Sequence, residues 1–383
     1  MMKKILTIIG ARPQIIKAAA ISRAIGSNAQ LKLQEDLLHT GQHYDSNMSE
    51  VFFNEMGIPT PRFQLSVGSG SHGKQTGSML QGIEEVLIKE SYDAVLVYGD
   101  TNSTLAGAMA ASKLHIPLIH VEAGLRSFNK KMPEEINRIM CDHASTLLFS
   151  PTQEGIKNLQ REGLQHQEMP WSMDRPGIFH TGDIMFDNSL YFSESAAAKK
   201  RPAFLGSDVS NFLLATVHRD TNTDDEEKLN AILLAMGQLT LNSNMHVVFP
   251  MHPRTRAKLS SESKRLLSSH PMIIITEPLS FLEMVWMEKN CSMIVTDSGG
   301  VQKEAFFFKK PCIILREQTE WVELVSNGNA ILTGPSEQKI IQAYENLRKN
   351  EQSMTWPAYF GDGKAAEFIC ETISSFLHYG DTL

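Results

Sequence analysis

Residues 94–124 read AVLVYGDTNSTLAGAMAASKLHIPLIHVEAG, and this stretch decides the fold. Ala94–Tyr98 is an unbroken apolar run, the signature of a strand covered on both faces. Gly99-Asp100-Thr101-Asn102 then turns the chain. Ser103–Lys113 follows as a helix, and Pro117–Val121 as the next apolar strand. Strand, helix, strand means two parallel neighbours joined by a crossover.

The same alternation extends outward. Upstream, Ile5–Ile9 reads as a buried strand and Arg12–Ile25 as a helix with Pro13 in its first turn, where a missing N–H costs little. Downstream, Pro133–Cys141 is helical, Thr146–Ser150 a strand and Thr152–Arg161 a helix. Leu164–Gly182, with Pro170, Pro176 and Gly177, reads as a connection between domains with a strand at its end. A second alternating set begins at Phe212–Val217. It continues through helix Asp224–Leu239, strand His246–Phe249, helix Thr255–Ser268, strand Met272–Thr276 and helix Phe281–Asn290. Strand Ser292–Val295, helix Gly300–Phe308 and strand Cys312–Leu315 complete it. Two α/β domains with an interdomain cleft are expected: 1–170 and 171–362, the last helix (about 363–383) crossing back onto the first. In such open sheets ligands bind beyond the carboxyl ends of the strands.

Composition agrees. A chain of 383 residues exceeds one domain at about 150 residues each. With 42% apolar and 21% charged residues it is neither disordered nor fibrous. A net charge of −7 argues against a protein that coats nucleic acid. Four cysteines without a CxxC pair are too few for a disulfide framework, so a reduced, cytoplasmic protein with buried thiols is expected. The start, MMKKILTIIGARPQIIKAAA, imitates a signal peptide, but Arg12, Pro13, Gln14 and Lys17 interrupt its apolar run. No run reaches the length of a membrane span.

Chemistry-bearing residues gather at strand ends. Asp100 follows one strand and Glu122 the next, while Glu134 and Glu135 open the helix after Pro133. First-turn acids often only cap helices. Several acids converging at one sheet edge also raise one another's pKa, which separates an acid from a base. Arg12 and Lys17 sit at the first helix's start, where free N–H groups attract anions. His218-Arg219 and His252 end strands of the second domain. Asp297-Ser298-Gly299-Gly300 ends another strand and opens a helix. Its glycines would let a phosphate approach the backbone, and Ser298 adds a hydroxyl. Glu304, one turn on, could accept both hydroxyls of a ribose. Gly68-Ser-Gly-Ser-His-Gly73 matches GxGxxG, but it follows a Pro-rich stretch instead of the first strand. It reads as a flexible loop that closes over substrate. Phe306-Phe307-Phe308 reads as core. Without HExxH or a tight His/Cys/Asp cluster, no metal is expected.

Taken together, GARPQIIK (10–17), TGQHYD (40–45), YGDTNSTLAG (98–107), HVEAGLRS (120–127), MPEEINR (132–138), TVHRDTN (216–222), PMHP (250–253), TDSGGVQKEA (296–305) and LREQTEW (315–321) resemble the non-hydrolysing UDP-N-acetylglucosamine 2-epimerase family. The resemblance covers most of the chain. It implies two Rossmann-like doubly wound domains of glycosyltransferase-B type and epimerisation at C2 of a UDP-sugar, without cofactor. The C2 proton leaves and UDP is expelled from C1. UDP then adds back to the retained 2-acetamidoglucal as a proton arrives on the other face. By resemblance Asp100, Glu122 and Glu134 are the catalytic carboxylates, with acid and base unassigned, and His218 lies near the diphosphate. Arg12 and Lys17 are cations of the first loop. His252, Ser298, Gly299 and Gly300 serve the diphosphate, and Glu304 the ribose. Phe281 is a candidate uracil platform. A homodimer serving surface-polysaccharide synthesis is the family expectation.

The chain also departs from the common pattern. Gln14 replaces an acid, Tyr44-Asp45 follows GQH where Arg is usual, and Trp321-Val322 stands for Arg-Pro. GSGSHG and SFNKKMPEE differ as well. The Arg-bearing segment belongs to a second, activating UDP-GlcNAc site, which is therefore not expected intact. These variants look like the subgroup acting on UDP-2,3-diacetamido-2,3-dideoxyglucuronate. A substrate carboxylate would prefer Gln14 to an acid, with Arg126, Lys130 or Lys131 as its cation. Rival readings are a UDP-sugar transferase of the same architecture, a hydrolysing epimerase, and a catalytically silent sugar-nucleotide binder.

Overall fold

The computed structural model describes residues 1–42, 53, 56–195, 200–207 and 209–379. These residues form two compact units, 1–188 with 358–383, and 189–357.

The first unit is built on a seven-stranded parallel sheet: β1 (Lys3–Ile9), β2 (Leu33–His39), β3 (Phe63–Gln64), β4 (Ala94–Tyr98), β5 (Leu118–Val121), β6 (Leu147–Ser150) and β7 (Gly177–His180). The spatial order is β3-β2-β1-β4-β5-β6-β7. Chain direction across the sheet reverses between β1 and β4, the point where such folds open a crevice for ligands. Interleaved helices are α1 (Arg12–Ser27), α2 (His72–Lys89), α3 (Asn102–Lys113), α4 (Pro133–His143), α5 (Gln153–Arg161) and α6 (Ile184–Ser193). All five residues of β4 are buried, as its continuous apolar run requires.

The second unit carries a six-stranded parallel sheet: β8 (Phe212–Thr216), β9 (His246–Pro250), β10 (Ile273–Thr276), β11 (Met293–Thr296), β12 (Cys312–Ile314) and β13 (Ala330–Leu332), ordered β10-β9-β8-β11-β12-β13. Here the switch point lies between β8 and β11. Its helices are α7 (Asp220–Thr223), α8 (Glu226–Ser243), α9 (Pro253–Ala257), α10 (Ser261–Ser269), α11 (Phe281–Asn290), α12 (Gly299–Phe307), α13 (Val322–Ser326) and α14 (Glu337–Asn350). The last helix, α15 (Ala365–His378), belongs to the first unit and packs on α1. The α/β class and the doubly wound topology are those expected.

Several local expectations change. The sequence reading set the change of domain at 170/171, whereas the compact units divide at 188/189, and β7 pairs with β6 in the first sheet. The segment 68–73 is not a loop throughout. Ser71 stands at the N-cap position of α2 without a side-chain capping bond, Gly73 lies inside that helix, and Gln75 Nε2 donates to Gly68 O at 2.8 Å. Glycines within α2 disguise it, yet Gly82 is needed: a Cβ there would meet Leu65 methyls at 2.9 Å. The single helix expected over Thr255–Ser268 is two, because Ser260 starts a new one by accepting the Ser263 N–H. Cys141, Cys291, Cys312 and Cys370 are buried thiols, and Phe306 and Phe307 are core. Among the described residues no helix is long and apolar enough to cross a membrane.

Candidate active site

In the first unit three turns converge at the switch point. The β1–α1 turn carries Arg12 and, one turn into α1, Lys17. The β4–α3 turn carries Gly99 and Asp100, and Glu122 follows β5. The Lys17 ammonium forms an ion pair with the Glu122 carboxylate, side chains 10% and 13% exposed. Gly99 makes room for it. A Cβ at that position would stand 3.0 Å from Glu122 Oε2 and 3.3 Å from Lys17 Nζ, and Gly99 has φ +61°. Glu122 itself has φ +73°, a conformation costly for a side-chain-bearing residue and frequent at functional sites.

Asp100 pairs with Arg138 of α4 at 2.5 Å. Desolvation raises its carboxyl above the ordinary range, as do the Glu122 and Glu134 charges, while Arg138 and Lys17 oppose. Glu122 and Glu134 thus both act electrostatically on Asp100. Glu134 is exposed and Glu135 is buried. Glu135 accepts the Ser127 and Phe128 N–H groups, each at 2.9 Å, and Arg138 at 3.0 Å. Burial would raise that carboxyl, but these donors hold it below the ordinary range. Arg138 thus ties Asp100 to the 127–128 turn through Glu135.

A buried triad supports the Asp100 turn from behind. His120 places Nε2 2.8 Å from Gly99 O and Nδ1 2.8 Å from Asp142. Asp142 also pairs with Arg126 at 2.8 Å. Asn137 Nδ2 donates to Asp100 O at 2.9 Å. The sequence reading missed His120, Asn137, Arg138 and Asp142 in these roles. Their only signal was proximity to the quoted motifs.

Two expectations about the substrate's surroundings are corrected. Gln14 is 1% exposed and fully engaged. Its Oε1 accepts the Gly10 and Ala11 N–H groups at 2.9 and 3.2 Å. Its Nε2 donates to Tyr98 O at 3.0 Å and Thr104 Oγ1 at 2.9 Å. Gln14 therefore clasps β1, β4 and α3, and it bears on a ligand only by adding no charge. Arg126 is consumed likewise by Asp142, by Glu162 at 2.7 Å through two nitrogens, and by Leu125 O. Lys130 and Lys131 are exposed. Tyr44 and Asp45 lie outside the described residues, as does His43.

The second unit assembles its own constellation. Asp297, fully buried after β11, accepts the His218 and Arg219 N–H groups and Asn222 Nδ2 at 3.0–3.1 Å. It thereby holds the β8 turn against the β11 turn. His218 Nδ1 lies 3.3 Å from Asp297, and its ring centroid is 6.4 Å from that of His252. Desolvation keeps the His218 imidazole below its ordinary pKa, against the pull of Asp297. Ser298 caps α12, whose first turn is Gly299-Gly300. Positions where Cβ atoms would stand on Gly299 and Gly300 lie 3.8 Å from Arg316 Nη1 and 3.9 Å from Glu304 Oε2. Trp321 donates its indole N–H to Gly299 O at 2.9 Å, under Lys303 at 4.4 Å. This turn offers free N–H groups, a helix dipole and a nearby carboxylate, the elements of a nucleotide-diphosphate site. Phe281 is 5% exposed and meets Phe192 edge-on at 5.4 Å, so most of its ring is core. Among the described residues no group of three or more His, Cys, Asp or Glu side chains could hold a metal ion.

Comparison with known proteins identifies the family. The family model for UDP-N-acetylglucosamine 2-epimerase matches residues 26–374. A UDP-2,3-diacetamido-2,3-dideoxy-D-glucuronate 2-epimerase of Pseudomonas aeruginosa is 47% identical over 97% of this chain and 99% of its own. A UDP-N-acetylglucosamine 2-epimerase homolog of Methanococcus maripaludis is also 47% identical, with the same coverage. The structure of Methanocaldococcus jannaschii UDP-GlcNAc 2-epimerase in complex with UDP-GlcNAc and UDP superposes with a TM-score of 0.82 at 41% identity, covering 97% of this chain and 99% of that one. On the strength of these matches the chain belongs to the UDP-N-acetylglucosamine 2-epimerase family.

Proposed function

We propose that the chain inverts C2 of a UDP-2-acetamido sugar by eliminating and re-adding UDP, and that its substrate is UDP-2,3-diacetamido-2,3-dideoxyglucuronate. The observation that carries the chemistry is the coupled set of Asp100, Glu122 and Glu134 with Lys17 and Arg138 at the sheet's switch point. Inversion at carbon needs a proton taken from one face and given to the other, hence at least two acid/base groups of different proton affinity. Asp100, which burial raises despite its pairing with Arg138, and Glu122, paired with Lys17, are the two groups assigned to that work.

In the elimination a carboxylate of this set takes the C2 proton. The C2 electrons form the C1–C2 double bond, and the C1–O electrons leave with UDP. The reverse step delivers a proton to the opposite face of C2. Negative charge gathers on the departing diphosphate, and the α12 N-terminus, Ser298 and His218 are assigned to hold it, with His252, Arg12 and Lys17 contributing donors. Glu304 is assigned to the ribose hydroxyls. Elimination and re-addition balance without an external oxidant or reductant.

The substrate assignment rests on the Pseudomonas relative and on charge. With Arg126 engaged internally, Lys130 and Lys131 are the cations assigned to the uronate carboxylate. A homodimer in the cytoplasm completes the reading.

The test is proton NMR in D2O with UDP-GlcNAc and the diacetamido uronate offered separately. Loss of the uronate H2 signal, a new manno-type UDP-sugar and little free UDP are expected. Unchanged H2 with both sugars despite UDP binding would reject the epimerase reading, and efficient turnover of UDP-GlcNAc alone would reject the substrate.

A further inference from the structure

A second glutamate lies behind the α12 turn, unused by the mechanism above. Glu288, near the end of α11, is 2% exposed, and its carboxyl hydrogen-bonds that of Glu304. Glu304 is only partly buried and turns toward the first turn of α12. Its Oε2 lies 3.9 Å from the Cβ position of Gly300, the distance at which Ser298 Oγ also stands. The two glutamates therefore run from the interior of the second unit to the mouth of the turn.

Two ionised carboxylates have no hydrogen to share, so a hydrogen bond between carboxyls needs a proton on one of them. The charge settles on the better-solvated partner, because desolvation disfavours the ionised form. That partner is Glu304, which leaves Glu288 as the donor. Burial and the Glu304 charge both push the Glu288 carboxyl well above the usual range. The backbone carbonyl of Glu288 is engaged separately, by the Cys291 thiol at 3.4 Å.

We propose that Glu288 is a positioning residue: it keeps a proton and donates it to Glu304, fixing that carboxylate to accept both hydroxyls of the nucleotide ribose. This rests on the reading that Glu304 holds the ribose. A carboxylate has about four acceptor sites. One taken by Glu288 fixes the plane of the group, and so the direction from which hydroxyl donors reach it. Without Glu288 the same carboxylate would swing and lose its orientation.

The experiment compares the affinities of UDP and 2′,3′-dideoxy-UDP by calorimetry for the full chain and for the Glu304→Ala, Glu288→Gln and Glu288→Leu variants. The wild type is expected to prefer UDP by at least about 10-fold, as sites built around a hydroxyl do. Glu304→Ala loses the preference. Glu288→Gln keeps it, because the amide N–H replaces the acid proton. Glu288→Leu cuts it to within about 3-fold, the loss of one oriented hydrogen bond, while still binding the dideoxy analogue as the wild type does. A merely structural role would weaken both nucleotides alike.

Retained preference in Glu288→Leu, when Glu304→Ala has lost it, overturns the proposal and leaves the ribose reading standing. A wild type that does not distinguish the nucleotides overturns both. Should Glu288→Leu fail to fold, loss of preference in Glu288→Gln overturns the proposal on its own, and retention supports it.

Discussion

The Lys17 ammonium of α1 and the Glu122 carboxylate beyond β5 meet as an ion pair over the backbone of Gly99. The pair is shielded from water, and the acid sits in a left-handed backbone conformation that only surrounding structure can enforce. Such a carboxylate is held in one orientation with its charge partly balanced. Glu122→Gln is expected to reduce turnover by at least about 100-fold, the usual cost of losing an acid/base group. UDP affinity should change only a few-fold in Glu122→Gln, because Glu122 itself is not assigned to the diphosphate. Lys17→Met should cost similar turnover. Steady-state rates with calorimetric UDP binding check this, and a loss below tenfold in Glu122→Gln would remove Glu122 from the proton-transfer set.

Arg138 stabilises the ionised form of Asp100. Its removal leaves desolvation and the neighbouring acids unopposed on that side, so the Asp100 pKa must rise further. If Asp100 acts as base, the acid limb of kcat/KM moves to higher pH in Arg138→Met. If it acts as acid, the alkaline limb moves to higher pH. Arg138→Lys, which keeps the charge, should shift less. A profile that stays put or moves down would show that Asp100 does not govern either limb.

How much of this was legible depended on distance along the chain. Strands β1, β4 and β5 could be read because buried parallel strands are continuous apolar runs, and Asp100 and Glu122 could be placed because each directly follows one. Pairings could not be read. His120 and Asp142 are 22 residues apart, Gln14 and Thr104 are 90 apart, and His218 and Asp297 are 79 apart. No local pattern says which of several buried polar groups will satisfy which. That is why Gln14 and Arg126 looked available to a substrate when both are spent on the fold. Helix α2 is hidden in the sequence because its three glycines weaken the helical signal, and only Gly82 has a packing reason, the Leu65 methyls.

Asp187 makes the stability of the first unit pH-dependent. Its carboxylate accepts the Ala365 and Ala366 N–H groups at 3.2 and 2.7 Å, docking the start of α15. Desolvation nevertheless raises its pKa from 3.8 to about 6. The folded state then binds more protons than the unfolded state between those values, so this contribution is fully present below 3.8 and is lost as pH rises through 6. Asp187→Asn abolishes the titration. Its stability relative to wild type should improve from pH 4 to pH 7, by about 3 kcal/mol at most. Denaturant unfolding at both pH values measures it, and a difference that moves the other way would show that the Ala365 and Ala366 N–H groups outweigh burial and stabilise the carboxylate.

Trp321 holds the Gly299 turn, assigned above to the diphosphate, through its N–H to Gly299 O. Trp321→Phe keeps most of the ring that Lys303 covers and removes the donor. A lost hydrogen bond of about 1 kcal/mol corresponds to roughly a 5-fold weaker grip on UDP, with the helical circular dichroism unchanged. Unaltered UDP affinity would show that the turn keeps its shape without the indole.

The choice of sugar turns on the exposed lysines of the 127–132 segment. Its backbone is anchored by Glu135, which accepts the Ser127 and Phe128 N–H groups, so Lys130 and Lys131 extend from a fixed base. A uronate carries one more negative charge than UDP-GlcNAc at the sugar end. An exposed cation–carboxylate contact contributes about 0.2–1 kcal/mol and weakens with salt. Lys130→Gln combined with Lys131→Gln should therefore raise KM for the diacetamido uronate several-fold, with little change in kcat, and leave KM for UDP-GlcNAc unaltered. Salt should erode the wild-type preference and leave the double variant unaffected. Equal KM changes for the two sugars would assign these lysines to general charge attraction, and the carboxylate would have to find its partner elsewhere in the first unit.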